Sequence, residues 1–394
     1  MLSSSMTSTP FDKDLYLTKP LLGIKVLEFC QIAAGPFAGM LLADFGADVV
    51  KIEPPEGDAM RQWPPVKAGM SENFASLNRG KRSLALNLKD PEDLARAQVL
   101  IREADVVLEN SRPGVMARLG IGPDWALKEK PSLVYCSVSA FGQTGPRRQE
   151  GGFDVTIQAA SGVMSVTGEP NGAPVKCGVP ISDFAAGLYA AFSISAVLTR
   201  VRSGGPGAHI DIPMFATSLA IAALQTSEYF GTGHDPKPLG SAHPRNAPYQ
   251  AFRAHDAYFV VAAGNNKLWA TVCAQVGLNE LTDDPRFNTT TLRAQNQVEL
   301  KQILEQAFMK QPAAHWVSVF QAAGVPSSHI QKYSQALNDP QTKHLGLVQP
   351  QTLPGHETRT VGCPVWLSGR PVPLDTSVET LGQSNKETSP WRIP

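Results

Sequence analysis

The sequence carries no excess of charge of either sign. Its 35 Lys and Arg are matched by 35 Asp and Glu, for a formal net charge of zero. A basic nucleic-acid-binding domain, an acidic tail and a polybasic membrane patch are therefore disfavoured. Cysteine is sparse. The five residues, at positions 30, 136, 177, 273 and 363, are odd in number and contain no Cys-x-x-Cys pair. That argues against a disulfide framework and a zinc ribbon, and it suits a reducing, cytoplasmic setting. The eight histidines form neither His-x-x-His nor His-Glu-x-x-His, so no metal site is expected. The longest nearly apolar run, Phe184–Leu198, falls about one turn short of a bilayer span and reads as a buried helix. Residues 1–15 are Ser- and Thr-rich, without the apolar core of a signal peptide or the arginines of a transit peptide. Gly-x-Gly-x-x-Gly is missing, which disfavours a hydride-transfer enzyme.

What is present points to a loop-rich α/β enzyme. The chain has 394 residues, enough for two or three domains at roughly 150 residues each. Hydrophobic residues make up 42% and charged residues 18%, values that exclude a disordered or fibrous chain. Gly23–Phe29 predicts a strand, Pro36–Phe45 a helix with proline in its first turn, and Asp48–Glu53 a second strand. Such a β-α-β unit signals a parallel sheet. The alternation continues with a helix over Asp90–Ala104, strands over Asp105–Glu109 and Leu133–Ser139, and a helical stretch over Phe153–Met164. A long helix over Phe184–Arg202, a strand over Ala208–Ile212 and an apolar helix from Met214 to about Leu224 follow. Gly231–Pro248 is a Gly/Pro/His-rich connector. A hairpin around His255-Asp256 and helices over 267–277, 297–310 and 313–323 then predict a smaller α+β domain. The Pro-rich end reads as an extended tail that wraps back.

Five segments could carry chemistry. Cys30–Pro36 is the first β-α turn, and the helix N-terminus after it can hold a phosphate; it can equally be an ordinary tight turn, with Cys30 a buried structural thiol. Asn78–Lys89 (NRGKRSLALNLK) sets cations around a Leu-x-Leu-x-Leu alternation, either a phosphate clamp or a hairpin with a solvated face. Glu109–Gly120 ends a strand with Glu-Asn and opens a Pro-led helix bearing Arg118; ligands of open α/β sheets bind beyond strand ends such as the one Asn110 occupies. In GVPISDFAAG (178–187), Asp183 follows a Gly-Pro loop directly before the long helix. It is either an N-cap aspartate or a carboxylate nucleophile that the helix terminus keeps ionised. His243-Pro244-Arg245 lies in the connector, where Arg245 is a surface cation or the partner of a substrate carboxylate.

Read in order, these segments resemble the class III CoA-transferases, the formyl-CoA transferase and carnitine CoA-transferase family. The matching landmarks are LxGIKVLEF…AGP (21–36), GADVVKIE (46–53), NRGKRSLALNLK (78–89), DVVLEN..PG (105–114), SAFGQTGP (139–146), GFDVTIQAASGVMSVTG (152–168), GVPISDFAAG (178–187), HPRNAPYQAF (243–252), DPRF (284–287) and AGVPSSHI (323–330). They span essentially residues 20–370. The resemblance implies a large Rossmann-like parallel-sheet domain begun by residues 1–225, a linker over 226–240, a small α+β domain over 241–330, and a segment over 331–394 that returns to the large domain. It also implies an interlocked homodimer, with a paralogous subunit as an alternative partner.

The resemblance further implies that Asp183 attacks an acyl-CoA thioester, forming a mixed anhydride and then an aspartyl-CoA thioester. CoA and acyl-CoA are then substrates, and no tightly bound cofactor is implied. Leu86, Leu88, Lys89, Asn110 and Arg118 match CoA-contact positions. Ala33 stands where formyl-CoA transferase has an active-site glutamine, Phe153 where it has a tyrosine, and Pro54 where it has an adenine-side arginine; the tetraglycine loop has no counterpart. These departures point away from oxalate or formate, while the compact connector with His243-Pro244-Arg245 resembles succinyl-CoA-dependent transferases that act on dicarboxylates. A second carboxylate needs a cation, for which Arg61, Arg112 and Arg245 are candidates, with His243 in the last of these segments. The α-methylacyl-CoA racemases share the fold but use a Gly-His-Asp segment where this chain has Gly152-Phe153-Asp154. Phenylalanine cannot relay a proton, so racemisation is the runner-up, beside an inactive CoA-binding subunit.

Overall fold

The structure is a computed structural model and describes residues 17–392. The Ser/Thr-rich start considered above for targeting signals lies outside the described residues. Six strands form one sheet: β1 (Lys25–Phe29), β2 (Asp48–Glu53), β3 (Lys81–Ala85), β4 (Val106–Glu109), β5 (Val134–Ser139) and β6 (Ala208–Pro213). Their spatial order is β3-β2-β1-β4-β5-β6 and every pairing is parallel. The strands β2, β4 and β5 are buried at every position, as continuous Val/Ile/Leu-rich runs must be when both faces are covered.

The covering helices are α1 (Ala34–Asp44), α2 (Pro91–Glu103), α3 (Pro123–Glu129), α4 (Asp154–Ala160), α5 (Ile181–Arg202) and α6 (Met214–Ile221). On one face α1 and α5 bury Ala38, Leu42, Ala190 and Ile194 against Val26 and Val106. On the other, α2 and α3 bury Leu100, Ile101 and Ala126 against Leu27, Val50 and Val107. The start of α2 is set locally: Asp90 accepts the Glu92 N–H at 2.9 Å, and Pro91 follows it. The 22-residue α5 is long and apolar enough to cross a membrane by length and composition alone, but its Ala186, Ala190 and Ile194 are spent on the core. Gly187 permits this packing. A Cβ there would come within 2.7 Å of the Ala34 carbonyl oxygen.

Strand order reverses between β1 and β4. In sheets of this order, ligands bind in the crevice beyond the carboxyl ends at that reversal. The loops that leave β1 at Cys30 and β4 at Asn110 therefore face the candidate site.

The chain divides into two units. The first comprises residues through Val163, then Cys177–Phe230 and the chain from Pro340; the second comprises Met164–Lys176 and Gly231–Asp339. Met164–Lys176 groups with the second unit, where Gly168 O accepts the Gly240 N–H at 2.7 Å. In the second unit β7 (Tyr249–Arg253) and β8 (Tyr258–Ala262) form the expected hairpin, and β9 (Ser327–His329) extends it. Helices α7 (Asn266–Val276), α8 (Gln297–Phe308) and α9 (Ala313–Ala322) close over a core of Phe252, Phe259, Phe308 and Phe320.

Two expectations are corrected. Asn78–Lys89 is no solvated hairpin: it holds β3, which pairs in parallel with β2, and Lys81 and Arg82 are 2% and 8% exposed. The returning tail is not simply extended, because it includes the hairpin β10 (Val348–Leu353) and β11 (His356–Val361). Beyond that hairpin it runs along the outer edge of β3. Asn385 Oδ1 accepts the Ala85 N–H at 2.8 Å, the Ser384 N–H donates to Ser83 O at 3.1 Å, and Arg82 donates to Pro390 O at 2.7 Å. Arg82 also faces Glu379 and Glu387. Replacing Arg82 with Ala leaves a largely buried carboxylate without its cation, and should cost about 3 kcal/mol in urea unfolding. A loss below about 0.5 kcal/mol, the usual range for surface changes, would show that the strap does not lean on this residue.

Candidate active site

Two adjoining cavities open at the β1/β4 reversal. The larger, of about 700 Å³, is walled by Leu86, Leu88, Lys89, Pro54, Met116 and Arg118 among others. The smaller, of about 490 Å³, is walled by Ala33, Asn110, Arg112, Phe153 and Asp183 among others. Phe29, Gln31 and Ser111 belong to both walls, so the cavities adjoin.

The larger cavity is lined by two cations, Lys89 and Arg118, and by Glu53 and Glu56. Lys89 and Arg118 are exposed and have no carboxylate partner among the described residues. Lys89 follows β3 in a turn where its N–H donates to Asn87 Oδ1 at 3.2 Å. Arg118 ends the one-turn helix Val115–Arg118, whose entry requires Gly114 at φ +83°. Leu86 and Leu88 supply apolar wall in the same cavity. Cations beside an apolar slot suit a phosphate-bearing ligand with a flat or aliphatic body.

The smaller cavity holds the lone acid. Asp183 is the third residue of α5, since the helix begins at Ile181, three residues earlier than the sequence predicts. Its N-cap position is Pro180, with no side-chain cap. The free N–H of Ser182 is satisfied from α4: Asp154 Oδ1 accepts it at 2.9 Å, while Asp154 Oδ2 accepts from Gln158 Nε2 at 2.6 Å. The N-cap reading of Asp183 is thereby excluded, because Asp154 does that work. The Asp183 carboxylate has no hydrogen bond or ion pair among the described residues. Burial first, and the neighbouring Asp154 carboxylate second, push its carboxyl up to about 7. Burial and the Asp154 charge thus work against the ionised form that the helix terminus favours.

The other sequence candidates divide clearly. Ala33, Leu86, Leu88, Lys89, Asn110, Arg118, Phe153 and Arg112 all line one cavity or the other. Arg61 lines neither. Its Nε and Nη2 each bond Glu53 at 2.7 Å, and its guanidinium lies 3.8 Å from the Phe74 ring centroid, so it is engaged within the fold instead of facing a substrate. His243 and Arg245 belong to the second unit and line neither cavity; His243 Nδ1 accepts the Arg245 N–H at 3.1 Å. Cys30 is fully buried, and burial raises its thiol well above the ordinary value, which suits a structural residue. Sequence reasoning missed Asp154 as the cap of α5 and Asp58 as a tether of the first turn. Each acts on a partner remote in sequence, and a lone acid in a loop carries no local signal of that.

The crevice thus holds the Lys89 and Arg118 cations in one cavity and, in the adjoining one, a carboxylate without a hydrogen bond among the described residues. Residues 21–385 match the family model for CoA-transferase family III, and the chain belongs to that family. It is a CoA-transferase. It is 39% identical to the succinyl-CoA:glutarate CoA-transferase of Homo sapiens, over 86% of this chain and 78% of that protein. It is 41% identical to the acetyl-CoA:oxalate CoA-transferase of Acetobacter aceti, over 82% of this chain and 84% of that one. Among solved structures, a CaiB/BaiF family protein from Brucella suis superposes with a TM-score of 0.83 at 35% identity, over 93% of this chain and 98% of that one.

The raised Asp183 carboxyl has a consequence for stability. Its folded value, about 7, lies above the usual carboxylate range, so between about pH 4 and pH 7 the folded state holds a proton that the unfolded state releases. Stability falls as pH rises through that window. Asp183→Asn removes the titration, and its melting temperature should exceed the wild-type value by more at pH 8 than at pH 5. An equal offset at both pH values would contradict the raised carboxyl.

Proposed function

We propose that the protein moves CoA from succinyl-CoA to a dicarboxylic acid through covalent intermediates on Asp183. The observation that carries this reading is the unengaged, half-buried Asp183 carboxylate in a cavity that adjoins the slot of Lys89 and Arg118. An Asp183 oxygen attacks the thioester carbonyl, the C–S bond breaks, and CoA leaves as thiolate while an aspartyl-succinyl anhydride forms. The thiolate, still bound through its phosphates, attacks the aspartyl carbonyl. Succinate departs and an aspartyl-CoA thioester remains. The acceptor carboxylate attacks this thioester and displaces the thiolate, which then attacks the acceptor's acyl carbon. Acceptor-CoA and the free Asp183 carboxylate result, with no net proton consumed. The net exchange of one carboxylate for another on CoA is close to energy-neutral, so the protein's contribution is proximity and exclusion of water from the anhydride. The nucleophile must be ionised, so turnover should rise with pH toward and just above 7.

Arg112 supports a second carboxylate on the substrate. It stands in the wall that holds Asp183, exposed and without a carboxylate partner among the described residues. The names of the two relatives above both include a dicarboxylic acid. Phe153 has no titratable group where a proton relay would stand, which counts against a racemase. We further propose an interlocked homodimer. It is supported by the apolar residues Leu188, Tyr189 and Phe192 of α5, which are 54%, 40% and 72% exposed within one chain.

Incubation with succinyl-CoA and hydroxylamine should leave a hydroxamate on Asp183, detected by mass spectrometry of the digest. Asp183→Ala should abolish exchange with CoA affinity unchanged, and Arg112→Ala should raise KM for the acid by about tenfold, the loss expected for one charge-assisted contact. Unchanged turnover in Asp183→Ala would refute the nucleophile, and a panel of acids with no dicarboxylate accepted would refute the substrate class. For the assembly, Phe192→Glu should shift the mass in light scattering from dimer to monomer, whereas a monomeric wild type would end that proposal.

A further inference from the structure

The turn after β1 is built in a way that the exchange chemistry does not by itself explain. Ile32 adopts φ +67°, the left-handed region, which a β-branched residue rarely occupies. Four successive backbone groups around it are held by side chains from other elements. The Cys30 carbonyl accepts from Lys51 Nζ of β2 at 2.5 Å. Asn110, at the end of β4, accepts the Gln31 N–H at 2.9 Å and donates to the Gln31 carbonyl at 2.8 Å. The Ile32 N–H donates to Asp58, with both carboxylate oxygens 3.2 Å away. Lys51 and Asp58 pair with each other at 3.0 Å, with side chains 1% and 0% exposed. Asp58 Oδ1 accepts the Met60 N–H at 3.0 Å, and the Asp58 N–H donates to Glu53 at 3.1 Å, so the carboxylate cannot swing away from the turn.

The effect reaches the next residues. Ala33 and Ala34 line the same cavity as Asp183, and Phe37 packs its ring 4.7 Å from that of Phe184, the neighbour of Asp183. Where the turn goes, the start of α1 goes with it. A disfavoured backbone conformation persists only when its surroundings over-determine it, and here two ion-paired side chains and one amide do so. We infer that Asp58, paired with Lys51, is a positioning residue for CoA transfer: it holds Ile32 in the left-handed conformation and so fixes the Ala33–Ala34 wall of the reaction cavity. This rests on the reading of the Asp183 cavity as the place of exchange.

Glycine adopts positive φ freely, so Ile32→Gly should make the Asp58 tether dispensable. A double-mutant cycle with Asp58→Ala tests this, read as kcat for overall exchange, KM for acyl-CoA, CoA affinity by calorimetry, and melting temperature. Asp58→Ala should lower kcat about 30-fold in the wild-type background and only about threefold beside Ile32→Gly, a coupling within the range seen for contacting residues. CoA affinity should stay within about threefold throughout, because most of the larger cavity's wall lies outside this turn. The charge-neutral pair Lys51→Met/Asp58→Leu leaves no buried charge unpaired and keeps the cycle readable if Asp58→Ala does not fold. Equal losses of kcat in both backgrounds, or a lower melting temperature at unchanged kcat, would overturn the inference. Overall turnover does not presuppose the nucleophile. Coupling observed together with an active Asp183→Ala would sink the nucleophile and leave the positioning role standing. A hydroxamate at Asp183 with an additive cycle would do the reverse.

Discussion

One buried carboxylate ties the crevice side of the sheet together. Glu28 of β1 is fully buried and faces two ammonium groups, Lys51 of β2 at 3.1 Å and Lys81 of β3 at 2.9 Å. Burial alone would depress the Lys51 ammonium, but Glu28 and Asp58 beside it hold it above its ordinary value. Lys81 gains less: burial brings it down to about 8 despite Glu28. Desolvating such charges costs several kcal/mol per ion, on the order of what well-placed partners return. The net gain is then specificity more than stability. Lys51 also bonds Cys30 O, and Lys81 also bonds Pro36 O at 2.8 Å, so the cluster locks three strands to the turn and helix that border the site.

The two cavities differ in what lines them. The larger has Lys89, Arg118 and apolar wall, and the smaller has the Asp183 carboxylate and Arg112. On the proposed reading, that division lets contacts to the remote part of a long ligand hold its thioester in place. A carboxyl lifted to about 7 then fits the proposed role, since a more basic carboxylate is a better nucleophile provided enough of it is ionised at the working pH.

The parallel sheet was legible because β1, β2, β4 and β5 are continuous apolar runs punctuated by glycine and by the Asp90-Pro91 helix start. β3 was not, because Lys81, Arg82 and Ser83 look solvated until their partners are known, and one partner of Arg82, Pro390, stands 308 residues away. The first turn of α5 was misjudged for a related reason. Helix starts are read from local capping residues, and here the cap, Asp154, comes from another helix, 28 residues upstream of Ser182. Most residues singled out through the family resemblance line one cavity or the other, since they lie next to recognisable strand ends. Arg61 was not separable from a ligand-binding cation by residue type, because Glu53 engages it only in three dimensions.

The strap along β3 has a bearing on how the chain is made. Ser83 and Ala85 bond residues near 384, on the far side of the whole second unit in sequence. During synthesis the six strands are complete once β6 has emerged, yet the outer edge of the sheet stays uncovered until some 170 further residues have followed, about ten to thirty seconds at ordinary elongation rates. An open, parallel sheet edge is a template for pairing with other chains. The outer edge of β3 is thus the last part of the sheet to gain its native cover, a vulnerability that the finished fold no longer shows.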